Sequence, residues 1–476
     1  MERRWANRSW AIFFLIYAIL GIINLDTLPV AWTDEVLNLD PAVQYTISGE
    51  YRSALWPNPN SDVIFAGYLP LIQWVHHITL SILPLEIFWI RLPFFLLSLL
   101  SLVLFKQLLQ VKIGRDAILL TLLTTIVFLD KTVFEMSRSM RVEPLLIFFT
   151  LFYLYLKEKN QFIFLRFLLL GFLSMGHLYV WPLVLAFVIN EVRLSNIKQS
   201  AIGLVIFLIP SVLFLSQLHW DTTPIKEQLF HQVAQHRINE TDLKSSPLMN
   251  SIWFRFYPHY KEQPLMPLIY HATILSVLYI LIKNISLKKW NPKTLYLFGF
   301  TGMLILIFVF MTPQYRYLPL LLILGILWAP IKLNHRSTTF ILVLLCVNLS
   351  LSFVGRHTAA LTQRESRNPV PVFDFLHKHI EGETPLILGE SIGYYYAYRG
   401  IPRNAKRMTY GIDFYPQHQD WAEHDKVYLL TKELRPNEEP IAYYKSKNET
   451  WELPKWAKKF AKGGTYNGTY IYKLKN

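Results

Sequence analysis

Cysteine is almost missing from this chain of 476 residues, and the single one, Cys346, lies inside an apolar run. That excludes a disulfide framework and a thiolate metal site. Charge is scarce too, at 17% of residues against 53% hydrophobic and 15% aromatic. A soluble enzyme carries more charge, so the composition is that of a polytopic membrane protein. Acidic residues are outnumbered, 33 against 47 Lys and Arg, for a formal net charge of +14. The bases sit in short clusters between apolar runs, where they orient a chain in a bilayer, and this argues against nucleic acid as a partner. Internal repeats and low-complexity tracts are missing. So is a small-x-small cleavage site after Ala11 to Leu25, and the first apolar segment therefore reads as a retained anchor.

What the chain does have is a succession of apolar runs, at about residues 10–25, 88–105, 117–129, 144–156, 162–176, 178–190, 200–216, 266–282, 294–311, 317–331 and 338–354. They predict about eleven transmembrane helices, several shorter than the roughly 20 residues of a straight span. Arg3/Arg4/Arg8, Lys106/Lys112/Arg115, Lys157/Lys159, Arg193/Lys198, Lys283 to Lys293 and Lys332/Arg336 fall in alternate loops. The positive-inside rule makes those loops and the N-terminus cytoplasmic. Gly67 to Leu83 is also apolar, but counting it would invert every later loop. It is expected to lie at the outer interface, with Gln73, His76 and His77 easing that placement. Asp40-Pro41 reads as the start of a short helix that Gly49 stops.

After about Arg356 no run approaches span length, and charges, prolines and glycines rise. The expected division is a membrane domain over 1–355 and a soluble extracytoplasmic α/β domain over 356–476, roughly 120 residues, a normal domain size. Within it Val370 to Ile380 reads as a helix, and Pro385 to Gly389, Lys426 to Thr431 and Tyr466 to Leu474 as strands.

This topology brings four polar sets to the outer face. They are Asp34-Glu35, the stretch from Asp130 to Glu143 with Glu135, Arg138 and Arg141, the His-rich loop from Gln217 to Gln263, and Gln314-Tyr315-Arg316-Tyr317. Charges beside a bilayer are costly without a role or a partner. Transfer of a group from a polyprenyl phosphate needs a carboxylate to take the acceptor's proton, and cations for the departing phosphate. Arginines or a carboxylate-bound divalent metal ion supply that charge. Acids mixed with arginines suit this better than the paired carboxylates of a glycosidase. The plainer readings are a helix cap for Asp34, headgroup anchoring for Arg138 and Arg141, an aromatic belt for Tyr315 to Tyr317, and solvated loop histidines.

The order of motifs carries a resemblance: Asp34-Glu35 after the first span, Ser48-Gly49-Glu50-Tyr51, Gly67-Tyr68-Leu69-Pro70-Leu71, Ile90-Arg91-Leu92-Pro93, then Ser139-Met140-Arg141-Val142-Glu143-Pro144. Over about residues 8–330 this resembles glycosyltransferase family 39, which includes the protein O-mannosyltransferases and the lipid A aminoarabinose transferases of the GT-C superfamily. The resemblance implies an inverting glycosyltransferase that moves a sugar from a polyprenyl-phosphate donor to a lipid, glycan or protein acceptor outside a bacterial inner membrane. It implies that Asp34, Glu35 and Glu143 are catalytic, with Asp34 and Glu143 as ligands of a divalent metal ion if one is used. Arg141, and His231 or His236 with Arg237, are implied to bind substrate; Arg138 and Arg316, with Tyr315 beside it, are expected from their own positions to join Arg141 in binding the donor phosphate. Glu143 stands where the family more often has Asp. The alternative from another class is a transporter or flippase of lipid-linked sugars, whose charges would lie near the midplane on broken helices.

Overall fold

The apolar runs of the sequence become helices in the computed structural model, which describes residues 2–30, 33–53, 64–114, 116–230, 260, 263–289, 291–310, 315–328, 336–382, 386–389, 408–409, 426–431, 434–435, 438–445 and 468–475. In chain order the helices are α1 (Glu2–Ile23), α2 (Thr33–Ser48), α3 (Leu71–Ile82), α4 (Ile87–Ile113), α5 (Ala117–Leu129), α6 (Lys131–Ser137), α7 (Glu143–Glu158), α8 (Ile163–Ser174), α9 (Trp181–Leu194) and α10 (Ile197–Gln217). There follow α11 (Met266–Ser286), α12 (Pro292–Ile305), α13 (Leu318–Trp328), α14 (Arg336–Thr362), α15 (Arg364–Arg367) and α16 (Pro369–His379). Each predicted run falls on one of these helices.

Four stretches among the described residues are long and apolar enough to cross a membrane: α4, α10, α11 and Thr339–Thr362 of α14. Their outward faces are apolar as well. On α10, Val205, Leu208, Val212 and Leu213 are all exposed, a surface that only a hydrocarbon environment covers without cost. The chain is an integral membrane protein. Polar side chains cap the helices where the sequence supplies them: Asp116 accepts from the Leu119 N–H at 2.9 Å, Asp130 from Val133 at 2.9 Å and Asn196 from Gln199 at 2.8 Å. Small residues let helices close. A Cβ on Gly171 of α8 would sit 2.4 Å from the Phe207 carbonyl oxygen of α10, and one on Gly203 of α10 would sit 2.3 Å from the Phe167 ring.

At one end of the bundle Glu191 of α9 gathers three helices, accepting from Tyr153 at 2.9 Å and pairing with Lys157 at 2.9 Å and Arg166 at 3.2 Å. The acidic pair lies in the first turn of α2, and Arg141 and Arg316 lie between the long helices; none of them pairs with Glu191.

Two local expectations are corrected. The helix expected to start at Asp40-Pro41 starts at Thr33, so Asp34 and Glu35 occupy its first turn, where the helix dipole favours carboxylates. Asp40 is buried within it and accepts from Ser53 Oγ at 2.7 Å and Gln44 Nε2 at 3.3 Å. Pro41 does not break the helix, because burial of this part of α2, which packs on α3, outweighs its missing N–H. Gly49 does end it, at φ 78°. The Gly67 to Leu83 segment holds the 12-residue helix α3, packed on α2. Its Gln73 and His76 are buried. His76 Nε2 reaches the Met140 carbonyl at 3.3 Å, so these two side chains face the protein interior.

Beyond α14, which runs unbroken through position 356 to Thr362, the described residues form α15, α16 and strands β1 (Leu386–Gly389), β2 (Met408–Thr409), β3 (Val427–Thr431), β4 (Ala442–Tyr444) and β5 (Thr469–Lys475). They make one mixed sheet in the order β2-β1-β3-β5-β4, parallel across β2, β1 and β3 and antiparallel across β3, β5 and β4. The expected helix corresponds to α16, and the three expected strands to β1, β3 and β5.

Candidate active site

The first turn of α2 presents two adjacent carboxylates that do different things. Asp34 accepts through Oδ2 from Arg141 Nη1 at 2.8 Å and from Arg316 Nη1. Arg141 in turn grips Glu143, at the start of α7, with Nε at 3.1 Å from Oε2 and Nη2 at 3.1 Å from Oε1. Two carboxylates and two guanidiniums from three separate stretches of chain thus form one cluster. Burial alone would lower the pKa of Arg141. Glu143 and Asp34 outweigh it and hold the guanidinium well above its ordinary value. Arg316 is raised too, against burial and the neighbouring Arg141, by Tyr317, Asp34 and Glu143.

Glu35 is fully buried and belongs to the frame beneath this cluster. Its two oxygens accept from Arg91 of α4, Nη2 to Oε1 at 2.7 Å and Nε to Oε2 at 3.0 Å. The Met140 N–H donates to the same Oε2 at 3.0 Å. Arg91 uses its remaining Nη1 on the carbonyls of Leu25 at 2.9 Å and Pro29 at 2.7 Å. His76 Nε2 lies 3.3 Å from the Met140 carbonyl. Burial pushes the His76 pKa down to about 3, so the ring is neutral and Nε2–H is the donor. Both backbone groups of Met140 are therefore fixed, which sets where the next residue, Arg141, projects.

Aromatic groups wall the cluster. Tyr68 is close enough for its phenol to be raised, by burial first and then by Asp34. His177 packs tilted against Tyr179 at 4.7 Å and Tyr317 at 5.2 Å between centroids. Burial, opposed by Glu143 and reinforced by Arg316 and Arg141, pushes the His177 pKa down to about 4.

Of the residues expected at a site, Asp34, Glu143, Arg141 and Arg316 come together. Glu35 sits beside them in the Arg91 pair. Arg138 makes no ion pair with Asp34 or Glu143. It is fully buried near Tyr17, Arg91 and Asp26, with its guanidinium carbon 5.0 Å from the Phe134 ring centroid. His231, His236 and Arg237 lie outside the described residues, as does the side chain of Tyr315. Arg91, Tyr68, His76, His177 and Tyr179 were not anticipated as site residues. Arg91 carried a signal, an arginine on a span-length apolar helix.

The donor set does not suit the divalent metal ion that Asp34 and Glu143 were expected to hold. Both carboxylates are already taken by guanidiniums, whose charge repels a second cation, and no group of three metal-ligating side chains occurs among the described residues.

No family model matches the chain, and no curated relative matches it either. Solved structures do. The crystal structure of ArnT from Cupriavidus metallidurans in the apo state aligns with a TM-score of 0.54 at 13% identity, covering 89% of this chain and 93% of that one. The chain has the ArnT fold. The structure of the same ArnT bound to undecaprenyl phosphate aligns with a TM-score of 0.50 over the same shares. The resemblance drawn from motif order therefore agrees with the fold found by structure.

Proposed function

We propose that this protein is a GT-C glycosyltransferase that moves a sugar from a polyprenyl phosphate to an acceptor at the outer face of the membrane, with about eleven crossings, the N-terminus inside and the terminal α/β domain outside. The membrane is taken to be a bacterial inner membrane, and the acceptor a lipid, glycan or protein. The observation that carries the reading is Asp34 held between Arg141 and Arg316 at the end of a membrane bundle with the ArnT fold. The undecaprenyl phosphate of the second ArnT structure supports a lipid phosphate as donor.

Two guanidiniums on one carboxylate stabilise its charged form, and they are also the forks that a phosphate accepts. An arriving donor phosphate competes with Asp34 for Arg141 and Arg316. As they turn to the phosphate, Asp34 is released to orient the acceptor and take its proton. The acceptor oxygen then bonds to the anomeric carbon while the bond to the phosphate oxygen breaks, inverting that carbon. The departing phosphate keeps the electron pair under the two arginines and needs no proton. Glu143 keeps Arg141 charged and aimed, and Glu35 with Arg91 is the positioning pair. No step is routed through a metal ion.

Purified protein supplied with a polyprenyl-phosphate sugar should release polyprenyl phosphate only when acceptor is present. Asp34→Asn should lower that rate about 10²–10⁴-fold in protein that stays folded and monodisperse. Full turnover by Asp34→Asn would remove this residue from the chemistry.

A further inference from the structure

A second group of buried cations lies where the turn after α1, helix α6 and the end of α14 meet. Arg138 is fully buried, and none of its Nε, Nη1 and Nη2 atoms has a hydrogen-bond partner among the described residues. His357 rests on the same Phe134 ring as Arg138, at 5.4 Å between centroids. Its Nδ1 is 3.2 Å from the Asn24 amide nitrogen. That amide only donates, so Nδ1 accepts and the ring proton is on Nε2. This N–H is also buried and without a partner. Arg356, next in sequence and also buried, bonds Ser352 Oγ at 3.1 Å and lies 3.9 Å from Glu135.

A guanidinium taken out of water without an acceptor costs several kcal/mol, and native folds leave few such groups unexplained. The carboxylate that bears on Arg138 is Asp26, which pairs loosely with Arg364 at 3.9 Å, its side chain 31% exposed. Burial, reinforced by Arg91, pushes the Arg138 pKa down to about 9, as expected where a counter-anion is wanting.

We propose that Arg138 and His357 form an anion site, separate from the Asp34 cluster, that takes a phosphoryl group entering past Asp26 and Arg364. The fork of Arg138 matches two oxygens of an oxyanion, and the imidazole N–H supplies a donor to a third. A phosphoryl group offers a separate oxygen to each of these three donors, where a carboxylate has to share its two. The source is either free phosphate or the headgroup of an anionic phospholipid.

The test uses the full chain in an Arg316→Gln background, which weakens phosphate binding at the Asp34 cluster. Inorganic phosphate should raise its melting midpoint saturably, and adding Arg138→Gln should abolish the rise. Arg138→Lys, which keeps the charge but loses the fork, covers the case in which the glutamine variant does not fold. It should need at least about tenfold more phosphate. In nanodiscs, a midpoint already raised by phosphatidylglycerol over phosphatidylcholine, with no further response to phosphate, identifies the headgroup. Equal midpoints and a phosphate response in both identify the free ion. A full phosphate response with glutamine or lysine at 138, or no response to either source in the Arg316→Gln protein, overturns the proposal.

Discussion

Replacing Arg91 by Met tests whether the buried pair beneath the site holds it together. Arg91 is fully buried and makes four hydrogen bonds, two to Glu35 and two to the carbonyls of Leu25 and Pro29. Removing it strands the Glu35 carboxylate out of water, at a cost of about 3–5 kcal/mol. Glu35→Leu strands Arg91 in the same way and also loses the acceptor for the Met140 N–H. With both replaced no buried charge remains, and the cost should fall to that of the lost backbone partners, about 1–3 kcal/mol. Melting midpoints shift by about 2–4 °C per kcal/mol in domains of 150–250 residues and by less in longer chains. Each single variant should therefore melt several degrees low, and the double variant should melt above both. Fluorescence-monitored melting of the four proteins in one detergent closes the cycle. Additive losses, with the double variant at the sum of the singles, would refute the pair as the frame of the site.

Other perturbations follow from the same geometry. Arg141→Lys keeps a charge but cannot reach Asp34 and Glu143 together, so the transfer rate should fall at least about tenfold while Glu143→Gln falls less, measured as polyprenyl phosphate release. Gly171→Leu should prevent α8 from closing on the Phe207 carbonyl, and is read as loss of the monodisperse peak in size exclusion. His177 has a pKa depressed from 6.5 to about 4. The unfolded chain thus binds its proton first, and the melting midpoint should be steady above pH 6.5 and fall as pH drops from there toward 4. His177→Gln should make that fall shallower, with His76 still contributing to it, which pH-resolved melting curves of both proteins would show.

Much of the site was legible because the signals were local. A carboxylate pair after an apolar run, Arg141 two residues before Glu143, and an arginine between two tyrosines each stand out against so few charges, and the structure joins Asp34, Arg141, Glu143 and Arg316 from them. What the sequence hid was pairing at a distance. Glu35 and Asp34 are neighbours with the same chemistry on paper, and only the approach of Arg91, 56 residues on, separates a frame residue from a site residue. Arg138 looks equivalent to Arg141, yet the end of α6 turns it toward Phe134. His177 and Tyr68 lie in ordinary apolar or turn sequence and acquire meaning only through packing. The helix that starts at Thr33 was obscured because Asp40-Pro41 mimics a helix start, and burial of α2 against α3 overrides that local preference.

Binding of undecaprenyl phosphate to the purified protein tests the central claim most directly, comparing wild type with Arg141→Gln and Arg316→Gln by native mass spectrometry or titration. Each arginine contributes charge-assisted hydrogen bonds to a phosphate worth about 1.5–3 kcal/mol. The account predicts affinity lower by about 10–150-fold in each variant, with Asp34→Asn binding at least as tightly as wild type because the guanidiniums no longer have to leave a carboxylate. Unchanged affinity in both arginine variants would contradict it.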